Sequence, residues 1–222
     1  MTNASENDSS PSFWVRNGLG LTLTAIFLIC LTAQVVTGRA SWNEELLREG
    51  FPPLPWIQYL SSGHFVSATF ENWESEFLQM GMYVLLTVWL RQRGSAESRP
   101  FGEDEERIEP GETPWPVRKG GVWKALYAHS LTTGFMILFA ASFYLHLIGS
   151  WHHELDELRI AGRPPIGLME HLSGATFWFE SFQNWQSEFL AVLSIVVLSI
   201  FLRQDKSPES KPLRAPHSQT GA

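Results

Sequence analysis

Glu71-Asn72-Trp73-Glu74-Ser75-Glu76-Phe77-Leu78 returns 112 positions later as Gln183-Asn184-Trp185-Gln186-Ser187-Glu188-Phe189-Leu190. The same offset carries Pro52-Pro53 onto Pro164-Pro165, Ser61 onto Ser173, and Leu90-Arg91-Gln92 onto Leu202-Arg203-Gln204. A register held this long means two copies of one structural unit. Each copy holds a long apolar stretch, a polar loop, and a second apolar stretch introduced by the octapeptide.

Leu19 to Val36 carries no charged residue, and Ser130 to Ile148 has His146 as its only ionisable group apart from Tyr144. Both reach the roughly 18 to 20 residues that cross a bilayer as a helix. Phe77 to Leu90 and Phe189 to Leu202 are shorter, and become long enough only when extended back through the octapeptide. That extension draws polar groups into the membrane. The mean hydropathy of -0.07 hides this pattern, because apolar and polar residues are segregated in blocks. The position of Leu19 to Val36 after Arg16 invites a signal-peptide reading. Its repeat counterpart, Ser130 to Ile148, is internal, which argues against cleavage. Cys30 is the single cysteine, so no intrachain disulfide forms. The net charge of -7 offers no basic surface for nucleic acid.

These features predict an all-α membrane protein of four transmembrane helices, arranged as two tandem two-helix repeats about a parallel pseudo-twofold axis. Repeat 1 is expected over 13–92, with spans at about 18–37 and 70–91 and a short interfacial helix at 42–49. Repeat 2 is expected over 120–204, with spans at about 128–149 and 182–203 and an interfacial helix at 151–161. In the latter, Trp151, Leu155 and Leu158 form an apolar stripe, and Gly followed by Pro marks each helix stop. Residues 1–12 and 205–222 read as disordered tails, and 93–119 as a flexible linker rich in Gly, Pro, Ser and charge. Ser61 or Ser62, and Ser173, are candidate N-caps of the second helices. Of the 16 basic residues, all but Arg39, Arg48, Arg159 and Arg163 fall in the tails and linker. The positive-inside rule then places both termini in the cytoplasm, and the chain in the cell membrane.

Arg91 and Arg203 are expected to snorkel to the inner headgroups. Trp42, Trp73, Trp151 and Trp185 are expected as interfacial anchors. Counting up from Arg91 at 1.5 Å per residue puts Glu76 about 22 Å higher, in a core about 30 Å thick. Glu188 stands equally high above Arg203. Thr69, Asn72 and Glu76 share one helix face, as do Ser181, Asn184 and Glu188, with Ser75 and Ser187 one residue before each Glu. Ionisable groups inside a span face the bundle interior or a cavity. The paired carboxylates could therefore carry a proton or bind a cation. The simpler reading makes the same residues polar glue between helices.

His64, His152, His153 and His171 lie on the predicted outer side, and the His-His-Glu tract at 152–154 has a metal-binding composition. Neighbouring helix residues diverge by about 100°, however, and repeat 1 has Asn43-Glu44-Glu45 there, so a solvated face is the simpler reading. Phosphate-binding loops, dinucleotide fingerprints, nucleophile elbows and paired CxxC motifs are missing. No cofactor is implied.

Asn-Trp-Glu-Ser-Glu-Phe-Leu-Gln at 72–79 follows Ser62-Gly63-His64-Phe65 and precedes Gln92-Arg93-Gly94-Ser95-Ala96-Glu97-Ser98. This pattern resembles a bacterial integral-membrane family known only as a domain of unknown function. The resemblance spans nearly the whole chain. It implies a multi-pass membrane protein and carries over no catalytic residue.

Three functional classes stay open. The first, which the missing catalytic motifs favour, is a membrane scaffold or partner-binding protein. The second is an ion or proton pathway using Glu76 and Glu188. The third is a metal-dependent membrane enzyme using the histidines. The lipid bilayer is the partner the apolar segments require, with a homo-oligomer or another membrane protein as further candidates.

Overall fold

The computed structural model describes residues 12–101 and 111–221. The first residues of the N-terminal tail and the acidic part of the linker, Glu103 to Glu106, lie outside the described residues. Among the described residues every regular element is a helix. In chain order they are α1 (Phe13–Arg48), α2 (Trp56–Leu60), α3 (Gly63–Trp89), α4 (Trp115–Lys119), α5 (Gly121–Ala128), α6 (Ser130–Ile160), α7 (Leu168–Ser173) and α8 (Ala175–Phe201). Three of them, α1, α6 and α8, are long and apolar enough to cross a membrane. Helix α3 matches α8 at 27 residues. It is less apolar, because Glu71, Glu74 and Glu76 all sit in its central turns.

The separate interfacial helices expected at 42–49 and 151–161 are continuous with their spans instead. Helix α1 runs 36 residues and α6 runs 31. At 1.5 Å per residue both outreach a hydrocarbon core of about 30 Å. Only isolated glycines, Gly38 and Gly149, stand at the expected breaks. One glycine costs a helix about 1 kcal/mol and does not stop it. The stops come where Gly50 and Gly162 adopt positive φ, at 82° and 66°. There the amides of Phe51 and Arg163 reach back to the Leu46 and Leu158 carbonyls, both at 2.8 Å, closing each helix end as a Schellman turn.

The chain divides into two compact units, Met1–Ser61 and Ser62–Ala222. In the first, the Asn43 side chain clips the following loop by accepting from Leu54 N at 2.7 Å and donating to Leu54 O at 3.2 Å. Arg39 donates to the same carbonyl and lies 4.3 Å over the Trp56 ring.

In the second unit α3 and α6 run antiparallel in backbone contact. A Cβ on Gly63 would meet His153 N at 2.2 Å, and one on Gly149 would meet Ser67 N at 2.5 Å. Further along, Gly81 faces Phe135 and Met136. Small residues permit this approach, which packing between apolar helices exploits. Helix α8 lies along α3 in the same direction, touching it near Glu71 and Glu74 at one end and through Ser95 and Ser199, 3.1 Å apart, at the other.

At that second end the chain forms two matched turns where the sequence suggested flexible linker and tail. Gln92 N donates to Ser98 Oγ at 3.0 Å, and Gln204 N to Ser210 Oγ at 2.9 Å. Glu97 N and Glu209 N donate to Ser95 Oγ and Ser207 Oγ, both at 3.2 Å. The tail then folds back, and the buried Lys211 ammonium donates to the carbonyls of Gly94 and Gln219, the latter at 2.9 Å. Serine hydroxyls satisfying local amides explain why this polar composition holds a shape.

Candidate functional site

Ser142, His146 and Ser150 recur every four residues on α6, which puts them on one face. All three are buried. The facing side of α3 offers Ser67, Glu74, Ser75 and Gln79, also buried, and α8 offers Phe177 and Ser181. The interface of α3, α6 and α8 is therefore a polar seam.

Glu74 and His146 sit at its centre, each 0% exposed, with His146 Nδ1 3.1 Å from Glu74 Oε2. Trp185 Nε1 donates to the other carboxylate oxygen at 3.1 Å. A buried carboxylate needs such partners, since an unpaired one is strongly disfavoured away from water. The Nδ1–Oε2 approach is a close contact without hydrogen-bond geometry, and His146 Nε2 and the fully buried Ser181 Oγ likewise have no hydrogen-bond partner among the described residues. Beside the pair, the Asn184 amide donates to the Glu71 carboxylate and to Glu180 O. Glu180 in turn lies close enough to feel the charges of Glu71, His146, Glu157 and Glu154.

Toward the α6 C-terminus a second group forms. His171, on α7, bridges one turn of α6, with Nε2 on Ser150 Oγ and Nδ1 on the Glu154 carboxylate. The carboxylate accepts from Nδ1–H, and Nε2 shares a hydrogen bond with the Ser150 hydroxyl in which either atom can be the donor. Carboxylate, imidazole and hydroxyl in this order resemble a hydrolase triad. Ser150 is nevertheless buried in mid-helix, next to Gly149, where the α3 and α6 backbones touch. That leaves no room for an acyl group, and the set can act as a hydrogen-bond relay. Glu154 is partly exposed at its end.

The structure distributes the sequence-predicted residues as follows. Thr69 and Ser75 are buried, with Ser75 Oγ donating to Asn72 O at 2.7 Å. Asn72 turns to its own helix, donating to Ala68 O, and Ser187 donates to Asn184 O. Asn184 and Ser181 join the seam. Glu76 and Glu188 stand beside each other within hydrogen-bond reach. Trp185 holds Glu74, Trp151 donates to Ile166 O at 3.1 Å, Trp73 packs 5.1 Å from Phe70, and Trp42 is buried. Arg91 donates to Pro100 O, and Arg203 to several carbonyls including Ala215 O. Of the histidines, His171 enters the relay, His64 meets His153 edge-on at 5.3 Å, and His152 lies against Trp151. Among the described residues no three His, Cys, Asp or Glu side chains are grouped to hold a metal ion.

Glu71, Glu74, His146, Glu154 and Glu180 are seam residues that the repeat-based reading passed over. The four-residue spacing of Ser142, His146 and Ser150 in an otherwise apolar span was the available signal.

The chain belongs to the family defined by the domain of unknown function DUF6766. The match covers residues 10–222, which takes in both halves of the repeat and the seam. No curated protein and no solved structure matches the chain.

Proposed function

We propose that this DUF6766 member is a proton-handling membrane protein in which the buried Glu74–His146 pair takes up and releases a proton. The observation that carries this reading is a carboxylate and an imidazole 3.1 Å apart, both fully enclosed where α3 meets α6 and α8, the latter two long and apolar enough to cross a membrane. Ionisable groups at such depth are unfavourable unless paired, and they mark proton and ion routes in membrane proteins. The Glu154–His171–Ser150 relay gives the pair a neighbour that reaches a partly exposed carboxylate.

In this reading α3 is a fourth span, its carboxylates turned toward partners on α6 and α8. Two tandem two-helix repeats then stand about a parallel pseudo-twofold, with both termini cytoplasmic. The meeting of Glu76 with Glu188, residues at equivalent places in the repeat, is what such an axis requires, and it supports that carboxyl pair as a second proton or cation stop. The proton route lies within one chain, with lipid as the partner it needs. A scaffold role, in which the seam is only glue, is the competing account.

The test is proton flux into vesicles holding the full-length chain, read by an enclosed pH dye. Glu74→Gln and His146→Gln are each expected to lower flux by about tenfold or more, with helical content kept. Flux equal to wild type in both variants, or none above empty vesicles for wild type, overturns the reading. Loss of folding in both conservative variants supports glue.

A further inference from the structure

We infer that Phe177 is an aromatic gate between two proton-binding sets, the Glu154–His171–Ser150 relay and the enclosed Glu74–His146 pair. This deepens the proton-handling reading and rests on it for its purpose, though its geometry stands apart. The Phe177 ring is 0% exposed. Its centroid lies 5.5 Å from the His171 ring and 5.0 Å from the His146 ring, tilted 32° to the latter. One carbocycle therefore touches both imidazoles. A carbon ring neither donates nor accepts a conventional hydrogen bond, so no proton passes directly between the imidazoles while it stays in place.

The groups on the far side of that ring are incompletely partnered. His146 Nε2 and, one helical turn along α8 from Phe177, Ser181 Oγ are both buried without a hydrogen-bond partner among the described residues. Buried polar atoms are nearly always satisfied, by protein or by ordered water. A water molecule or hydrated proton is therefore the ligand class that these atoms would take, admitted when the ring moves. Trp185 from α8 borders the pair, and Glu71 and Glu180 lie within its electrostatic reach. Motion is plausible on local grounds. Phe177 sits in the first turn of α8, whose N-cap Gly174 supplies no side-chain cap. Uncapped first turns open more readily than helix interiors. Phe143 and Trp178, with ring centroids 5.6 and 5.5 Å away, hold the closed position.

The measurement is the lifetime of the His146 ring N–H against exchange with water, by NMR of the histidine-labelled full-length protein in lipid nanodiscs. Phe177→Ala is expected to shorten that lifetime by at least about tenfold and leave His171 within about twofold. Phe177→Leu, which keeps bulk without polarity, should stay near wild type. Phe177→Tyr, whose hydroxyl can bridge to the unpartnered atoms, should speed exchange. Unchanged His146 exchange in both the Ala and Tyr variants overturns the gate. If the Ala variant loses its fold, the Tyr variant alone decides by the same criterion. Exchange is read without flux. A gated His146 in a protein that conducts no protons would therefore keep the gate and sink the transport reading. Flux lost in His146→Gln but indifferent exchange in the Phe177 variants would do the reverse.

Discussion

The two ends of the α3–α6–α8 unit obey different logics. At the turn end, the chain after α3 and the chain after α8 make the same hydrogen bonds, serine for serine and glutamate for glutamate. At the histidine end, the central pair exists once. The place of Glu74 is taken in the second copy by Gln186, and aligning Trp42 with Trp151 puts Thr37 where His146 stands. A tandem repeat preserves what both copies need for folding. A buried carboxylate–imidazole pair present in one copy is not explained by that need, which makes its asymmetry informative.

The largest expected effect breaks this contrast at the pair. Glu74→Leu leaves His146 enclosed without its partner, and His146→Leu leaves the enclosed Glu74 with Trp185 as its remaining donor; each should cost about 3–5 kcal/mol in reversible unfolding from detergent micelles. The double Leu variant should cost well under the sum, since removing both partners relieves the stranded charge. Gln186→Leu, at the exposed equivalent position, should change stability by no more than about 0.5 kcal/mol. Additive losses at 74 and 146 would mean the two groups are not coupled.

Next in size is the contact that brings the pair together. Gly149→Leu forces a side chain onto the Ser67 amide, which a Cβ would already meet at 2.5 Å. Overpacking of this kind costs about 1–3 kcal/mol or more. Here the helices must also separate, so flux and stability should fall together. An equal substitution at Gly134, whose Cβ would meet nothing, should leave both nearly unchanged.

Much of this architecture was legible. The octapeptide repeat located α3 and α8, and the Gly-Pro stops located the ends of α1 and α6. Ser62 caps α3 as read, accepting from Phe65 N at 3.3 Å. Ser173 does not cap α8, because the N-cap position falls one residue later, at Gly174, and the helix starts at Ala175. The seam was harder to see, because symmetry drew the eye to Glu76 and Glu188 and away from Glu74, whose counterpart is a glutamine. Helix spacing shows which residues share a face, but the partner of that face depends on which helix packs there. Pairing α3 with α6, across the repeat boundary, is a tertiary fact. The linker was read as flexible and the C-terminal tail as disordered from composition, and only the offset from each amide to the serine six residues on reveals the turn.

The turn end offers a pH contrast of moderate size. Burial, opposed by the Tyr83 hydroxyl and reinforced by Glu209, holds the Glu97 carboxyl above the usual carboxylate range. The folded state then binds the proton more tightly than the unfolded chain. Stability from this group is full below about pH 4.5 and lost as pH rises through the raised value. Lys211 is shifted the opposite way. Burial, aided by the nearby Arg203 charge, lowers its pKa below 10.5, so the unfolded chain binds the proton more tightly. Docking of the tail should therefore tighten as pH rises toward that value. Protease protection of the tail across pH should show both slopes. Glu97→Gln should remove the acid one alone, and Lys211→Met the alkaline one alone.

The smallest effect tests how closely the two turns correspond. Gly94 and Lys206 hold the same place and both adopt positive φ, 84° and 64°. Their surroundings differ. A Cβ on Gly94 would meet His217 O at 2.5 Å, whereas Lys206 is exposed and its side chain is free to leave the turn. Only the first position therefore requires glycine for space, while both favour it for backbone conformation. A left-handed lysine carries roughly 1–2 kcal/mol of strain. Lys206→Gly relieves it, but gives back roughly 0.4–1 kcal/mol through the freer unfolded chain. The net gain should be small, about 0.5 kcal/mol, seen as slightly slower proteolysis of the tail. Gly94→Lys should instead release the tail, because the clash with the His217 carbonyl adds to the strain. Equal responses at the two positions would mean that the turns share their conformational requirement and that the tail contact at His217 contributes little to it.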